Sequence, residues 1–165
     1  MVKKRPVIAV VMGSEKDAEV MAEVTKVLDG FRVPYEVSVI SAHRTPDLCR
    51  CFAKGAARRG IKVIIAGAGK AAHLAGVIAS RTILPVIGVP LDAGMNGLDA
   101  LLSTAQMPAG IPVGTMAVGR SGAVNAALYA VAMLALRDKG LAQSLADYRR
   151  RQTARVKSKR RKVVQ

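Results

Sequence analysis

Short apolar runs alternate along the chain with stretches of helical spacing. Val7–Met12 is unbroken and reads as a strand buried on both faces. Asp17–Leu28 follows with apolar residues at Val20, Met21, Val24 and Leu28, the period of a helix. Tyr35–Ile40, rich in β-branched residues, predicts a second strand, and Asp47–Arg59 a second helix ended by Gly60. Lys62–Ala66, Pro85–Val89 and Val113–Val118 predict three further strands. Gly122–Leu136 is Ala-rich and apolar nearly all round, which predicts a helix that is buried or lies at a subunit interface. Leu141–Arg155 predicts a last helix, amphipathic at its start.

Buried strands separated by helices imply a parallel sheet covered on both faces. With right-handed crossovers this is a three-layer, doubly wound, flavodoxin-like α/β fold plus a C-terminal helix. Neither a repeat nor a linker divides the chain, and 165 residues suit one domain. The expected organisation is a single α/β domain over 1–155 and a basic tail over 156–165, disordered or a frayed helix.

Composition sharpens this reading. Hydrophobic residues are 51% and charged residues 22%, enough to bury a core and to exclude wholesale disorder. Aromatics are 3% with no Trp, so the core is aliphatic. Few rings are available to stack on single-stranded bases or on a flavin. No apolar run reaches the ~18 residues of a membrane span. The basic, then apolar, N-terminus resembles a signal peptide, but its apolar run is short and ends in Gly13-Ser14-Glu15-Lys16-Asp17 rather than a cleavage site. A cytoplasmic protein is expected. Cys49 and Cys51 would point to different faces of a helix and are expected as free thiols. With no CxxC, no HExxH and no acidic cluster, no metal is expected.

The net charge is +15, from 26 Lys and Arg against 11 Asp and Glu. Nine cations lie between Arg149 and Gln165 with no acid among them, which leaves +6 for the rest of the chain. Such a tail suits contact with nucleic acid or another polyanion, or is a solvated helix end fraying into a terminus. Without aromatic or Gly interleaving the second reading is preferred, and nucleic-acid contact is not expected.

In this fold class, ligands bind beyond the carboxyl ends of the strands. After the first strand, Ser14 can donate to an anion or cap a helix, and Asp17 can accept from sugar hydroxyls or cap a helix. After the second, Ser41-Ala42-His43-Arg44-Thr45-Pro46-Asp47 gathers a candidate acid–base in His43 and, in Arg44, a planar fork suited to phosphate. After the third, Gly67-Ala68-Gly69-Lys70-Ala71-Ala72-His73 lets backbone approach a ligand closely. It is not a dinucleotide fingerprint. His73 is expected on a strand end neighbouring that of His43, as a pocket residue or as a packed, capping histidine. The loop Pro90–Asp99 reads as flexible. The stretch Ser103–Pro112 is too apolar for a free loop and should cover a pocket or another subunit.

These segments resemble the PurE family, 5-(carboxyamino)imidazole ribonucleotide mutases of purine synthesis. The resemblance rests on VMGSEKD at 11–17, SAHRTPD at 41–47, IAGAGKAAHLAG at 65–76, PVIGVP at 85–90, GLDALLSTAQMPAGIPVGTMAVG at 97–119 and SGAVNAALYA at 121–130. It runs from about Val7 to about Arg150 and looks like the mutase branch. It implies movement of a carboxyl group from the exocyclic nitrogen to ring carbon four of an imidazole ribonucleotide, without metal, ATP or organic cofactor. It implies His43 as the catalytic acid–base. Ser14, Asp17 and Arg44 would bind the phosphate and ribose, while Ser41, Gly69, Lys70, Ala71 and His73 would line the pocket. It further implies a homo-oligomer, an octamer, with no membrane partner. Lys16, Lys70 and Ala75 depart from the family's usual Ser, Gly and Pro. The competing readings are direct carboxylation of aminoimidazole ribonucleotide and a non-catalytic nucleotide- or nucleic-acid-binding protein.

Overall fold

A computed structural model of the chain describes residues 5–163. Five parallel strands form one sheet in the order β2-β1-β3-β4-β5: β1 Ile8–Met12, β2 Tyr35–Val39, β3 Val63–Gly69, β4 Val86–Leu91 and β5 Gly114–Thr115. That order is the doubly wound, flavodoxin-like one expected from periodicity. All residues of β1 and β4 are buried, as their unbroken apolar runs require. At the edge, β2 buries none of its residues fully. β5 keeps two residues where Val113–Val118 predicted six. It is the other edge, held by β4 alone through the pairs Ile87↔Gly114 and Gly88↔Thr115.

The residues described form two compact units, one ending at Ala130 and one beginning at Val131. In the first unit, α2 (Pro46–Ala56) and α3 (Leu74–Ala79) cover one face of the sheet. Cys49, Ala53 and Ala56 of α2, and Leu74, Ala75 and Ile78 of α3, share a core with Ala9, Val11, Ile64, Ala66 and Val86. Gly88 is needed there, because a Cβ on it would enter Thr104 of α4 (Leu98–Ala105). The other face carries α1 (Ala18–Gly30), which buries Met21, Val24 and Leu28. It also carries the start of α5 (Gly119–Ala135), whose Tyr129 lies over Gly114. Ala123, Ala126, Ala127 and Ala130 of α5 are buried, a small-residue stripe at helical spacing.

Two helices were not expected. The six residues of α3 are too few to show a period, and α4 is preceded by Gly94, Met95, Asn96 and Gly97, all at positive φ. In the second unit, α6 covers Lys139–Val163 and starts earlier than expected because Asp138 Oδ1 accepts from the Leu141 N–H at 2.9 Å. The segment expected as a disordered or frayed tail continues as helix through Val163, and residues 164–165 lie outside the described part. No helix among the described residues is long and apolar enough to cross a membrane.

Candidate active site

The crossovers leave the sheet in opposite directions on either side of the β1–β3 boundary, α1 leading to β2 and α3 to β4. A crevice is expected at that switch point, and a cleft of about 560 Å³ lies there. It is lined by residues that follow β1 (Gly13, Ser14, Lys16, Asp17) and β2 (Ser41, Ala42, His43, Arg44), by the end of β3 (Ala68, Gly69) and residues after it (Lys70, Ala71, Leu74), and by Ala93 after β4. Every site residue read from the sequence lies on this wall except His73, which reaches it through His43. Gly13, Lys16, Ala42, Ala68, Leu74 and Ala93 line it without having been singled out as site residues. Gly13 follows a strand directly, a signal that could have found it, whereas nothing in the sequence marks Ala93.

The loop after β2 is tied into one conformation. Thr45 Oγ1 donates to the Ser41 carbonyl at 2.9 Å and accepts from the Ser41 N–H at 3.1 Å. Ser41 Oγ accepts from the Arg44 backbone N–H at 3.1 Å and from Arg44 Nε at 3.4 Å. Arg44 Nη2 donates to the Gly13 carbonyl at 3.1 Å, which joins the loops after β1 and β2. A guanidinium has five N–H donors; two are used here, and the rest can face a ligand. Pro46 at the first turn of α2 ends the loop, its missing N–H costing nothing there. Ser41 is thus a positioning residue for Arg44 as well as a wall residue.

After β1, Ser14 Oγ accepts from the Lys16 N–H at 3.3 Å, capping a short 3-10 turn over Glu15–Asp17. Its own O–H remains able to donate to an anion. Asp17 is partly buried against the cleft floor, and that desolvation raises its carboxyl above the ordinary value of 3.8. The Ser14 backbone and the Arg44 charge pull the other way with smaller effect. A carboxyl raised on folding supports stability fully below its unfolded pKa and loses that support as pH climbs through the folded value. Asp17→Asn is therefore expected to raise the melting temperature at pH 7 relative to the native chain and to leave the two alike near pH 3. Thermal scans at both values check this.

Gly67–Gly69 were read as loop, yet they continue β3, pairing with Val89, Pro90 and Leu91 of β4. Gly67 does not line the cleft, because it lies under Met21, whose side chain a Cβ would strike. Gly69 does, and a Cβ there would come within 2.8 Å of the Ala93 Cβ. Ala72, in the same stretch, is buried outside the lining. Lys70 has φ +55°, a left-handed conformation disfavoured for any residue with a Cβ. That conformation costs about 1–2 kcal/mol, whereas glycine's looser unfolded chain costs about 0.5–1 kcal/mol. Lys70→Gly is expected to stabilise the protein by up to about 1.5 kcal/mol, and Lys70→Ala to give no such gain. Denaturant midpoints distinguish them.

Turns after β3 lead to His73, with Ala72 N–H donating to the Lys70 carbonyl and His73 N–H to the Ala71 carbonyl, each at 2.8 Å. His43 Nε2 and His73 Nδ1 are 2.9 Å apart, their rings edge-to-face with centroids 5.0 Å apart. The strand ends that carry them are not neighbours as expected. β1 lies between β2 and β3, and the two loops meet over its end. One nitrogen of the pair must donate and the other accept, so while bonded the rings hold at most one positive charge between them. Such a pair can hold a proton, pass it on and take it back. Beside it, Lys16, Arg44 and Lys70 face the cleft against Asp17 alone, so the cleft favours an anionic ligand.

A doubly wound α/β protein with an anion-suited cleft and a paired imidazole at its switch point is a candidate for acid–base chemistry on a phosphorylated small molecule. The chain matches the AIR carboxylase family over residues 7–155 and belongs to that family. It is 53% identical over 150 residues to the N5-carboxyaminoimidazole ribonucleotide mutase of Brucella melitensis, covering 90% of this chain and 93% of that one. It is 54% identical over 150 residues to the mutase of the same name from Haemophilus influenzae, covering 90% and 92%. The crystal structure of Treponema denticola PurE superposes with a TM-score of 0.87 at 26% identity, over 98% of this chain and all of that one.

Proposed function

We infer that this chain is an isomerase of purine biosynthesis, an N5-carboxyaminoimidazole ribonucleotide mutase. The identities above 50% to enzymes of that name support this over direct carboxylation of aminoimidazole ribonucleotide. The observation that carries the mechanism is the His43–His73 pair at the mouth of an anion-suited cleft.

The substrate's phosphate is held by Arg44 and Ser14 and its ribose by Asp17, which fixes the ring over Gly69–Ala71. Protonated His43 gives its proton to the exocyclic nitrogen. The nitrogen–carboxyl bond then breaks, and its electron pair stays on the exocyclic nitrogen as carbon dioxide departs, from where it conjugates with the ring and makes carbon four nucleophilic. Held against Ala68, Gly69 and Ala71, the carbon dioxide is attacked by ring carbon four, forming the new carbon–carbon bond. The proton displaced from carbon four returns to His43. Atoms and protons balance with nothing consumed, so the step needs no ATP. The pair's shared proton lets His43 be donor first and acceptor second within one turnover. Remote binding energy at the phosphate keeps the ring in place between the two steps.

The catalytic domain is assigned to residues 1–155, the protein to the cytoplasm, and its assembly to a homo-octamer. The assembly is supported by the apolar side chains that the first unit leaves exposed. Ile83 is 99%, Met95 74% and Leu98 51% accessible, more than a lone small domain needs to show. Sedimentation is expected to give an octamer at micromolar concentration, and a fully active monomer there would contradict the assignment. The function itself is tested by offering purified protein the N5-carboxylated ribonucleotide without ATP and with a chelator. Formation of the carbon-four carboxylate is expected, and its absence in folded protein would refute the reading.

A further inference from the structure

The last acid of the chain is Asp147. Beyond it α6 runs on without a break to Val163, and every residue from Arg149 to Lys159 is exposed. Asp147 pairs with Arg150. Among the described residues no ion pair reaches Arg149, Arg151, Arg155, Lys157 or Lys159. Arg151, Arg155 and Lys159 follow one another at four-residue intervals, a like-charge row that weakens a helix. The helix C-terminus favours cations only over its last turn. The row nonetheless lies on helix throughout. The sequence adds Arg160, Arg161 and Lys162, and residues from 156 onward lie outside the family match.

We propose that this helix is a docking surface for the phosphate backbone of double-stranded DNA, bound without regard to sequence. From residue 149 to 162 the helix extends ~20 Å at ~1.5 Å per residue, the length of about six base pairs at ~3.4 Å each. A helix is ~10–12 Å across with its side chains, and the B-form major groove is ~12 Å wide. Between Arg149 and Lys159 there is no aromatic side chain to stack on an unpaired base, which disfavours single strands. The only apolar residues there are Ala154 and Val156, and Val156 is exposed, so no face exists to enter a lipid surface. The same lack of apolar anchors disfavours a protein partner. Unpaired cations that release counterions from a duplex are what the segment does offer.

The test uses the intact protein and labelled 24-base-pair duplexes of mixed sequence, DNA and RNA, read by fluorescence anisotropy across salt concentrations. Binding at ~10⁻⁶–10⁻⁴ M near physiological salt is expected, with a log–log salt slope of about −4 or steeper. The triple variant R151Q, R155Q, K157Q is expected to flatten that slope by about three, with turnover in the cleft unchanged. Should it lose helix content, K157Q alone is expected to flatten the slope by about one. Salt-sensitive binding of the DNA duplex, at least as tight as that of the RNA duplex, supports the proposal. It is overturned by slopes equal in native and variant proteins or by no salt-sensitive binding. Tighter binding of the RNA duplex, single strands, phosphatidylserine vesicles or polyglutamate than of the DNA duplex would also overturn it.

Discussion

His43→Asn is expected to fold normally, to bind the ribonucleotide as before and to lose about 10²–10⁴-fold in turnover, the span of general acid–base catalysis. Asn keeps a hydrogen-bonding side chain on the loop after β2 but cannot carry a proton from the exocyclic nitrogen to carbon four and back. His73 remains in this variant and still stands over the end of β1. If His73 were the true proton carrier, the variant would retain most of its activity. The complementary change, His73→Ala, leaves His43 in place without the 2.9 Å partner. Its expected signature is a displaced pH profile with a smaller loss of turnover, which a merely structural role would not produce. Near-native turnover in folded His43→Asn removes that residue from the mechanism.

The second large effect concerns binding. Arg44→Ala is expected to weaken the ribonucleotide complex by about 1.5–3 kcal/mol, the range for charge-assisted hydrogen bonds. That corresponds to about 10–150-fold in affinity. Part of the loss is direct contact with phosphate. Part comes through the loop, since Arg44 Nη2 holds the Gly13 carbonyl and Arg44 Nε the Ser41 hydroxyl. Lys at this position restores the charge but not the fork, so Arg44→Lys should recover only part of the affinity. Calorimetric titration of both variants separates these contributions, and unchanged affinity in Arg44→Ala would place the phosphate elsewhere.

The elements legible in the sequence are those whose environment is uniform. β1, β3 and β4 are buried on both faces and appear as unbroken apolar runs. α1 has one buried stripe and shows it at Met21, Val24 and Leu28. The misses occur where a local rule competes with the fold. Small residues at Gly67–Gly69 looked like a loop but are strand, kept small by Met21 above Gly67 and by Ala93 beside Gly69. β5 looked long because 113–118 is largely apolar, but an edge strand extends only where its single neighbour supplies partners.

The site was legible loop by loop, because chemistry in a doubly wound fold collects at strand ends. The relations between loops were not legible. No spacing rule says that the loops after β2 and β3 meet over β1, that Arg44 reaches Gly13, or that the two histidines come within 2.9 Å of each other. Nor does a lysine in the sequence announce a left-handed backbone, as at Lys70. The tail shows the same limit from the other side. Its charge was plain, and what could not be read was that the charges stay mounted on a continuous helix.

Transfer of a carboxyl group held within the cleft has one direct test. Substrate labelled with carbon-13 in the carboxyl on its exocyclic nitrogen is turned over in unlabelled bicarbonate, and the carbon-four carboxylate is analysed by mass. The label is expected to be retained in the product. A product whose carboxylate has the isotopic composition of the medium would contradict the account and assign the chain to direct carboxylation.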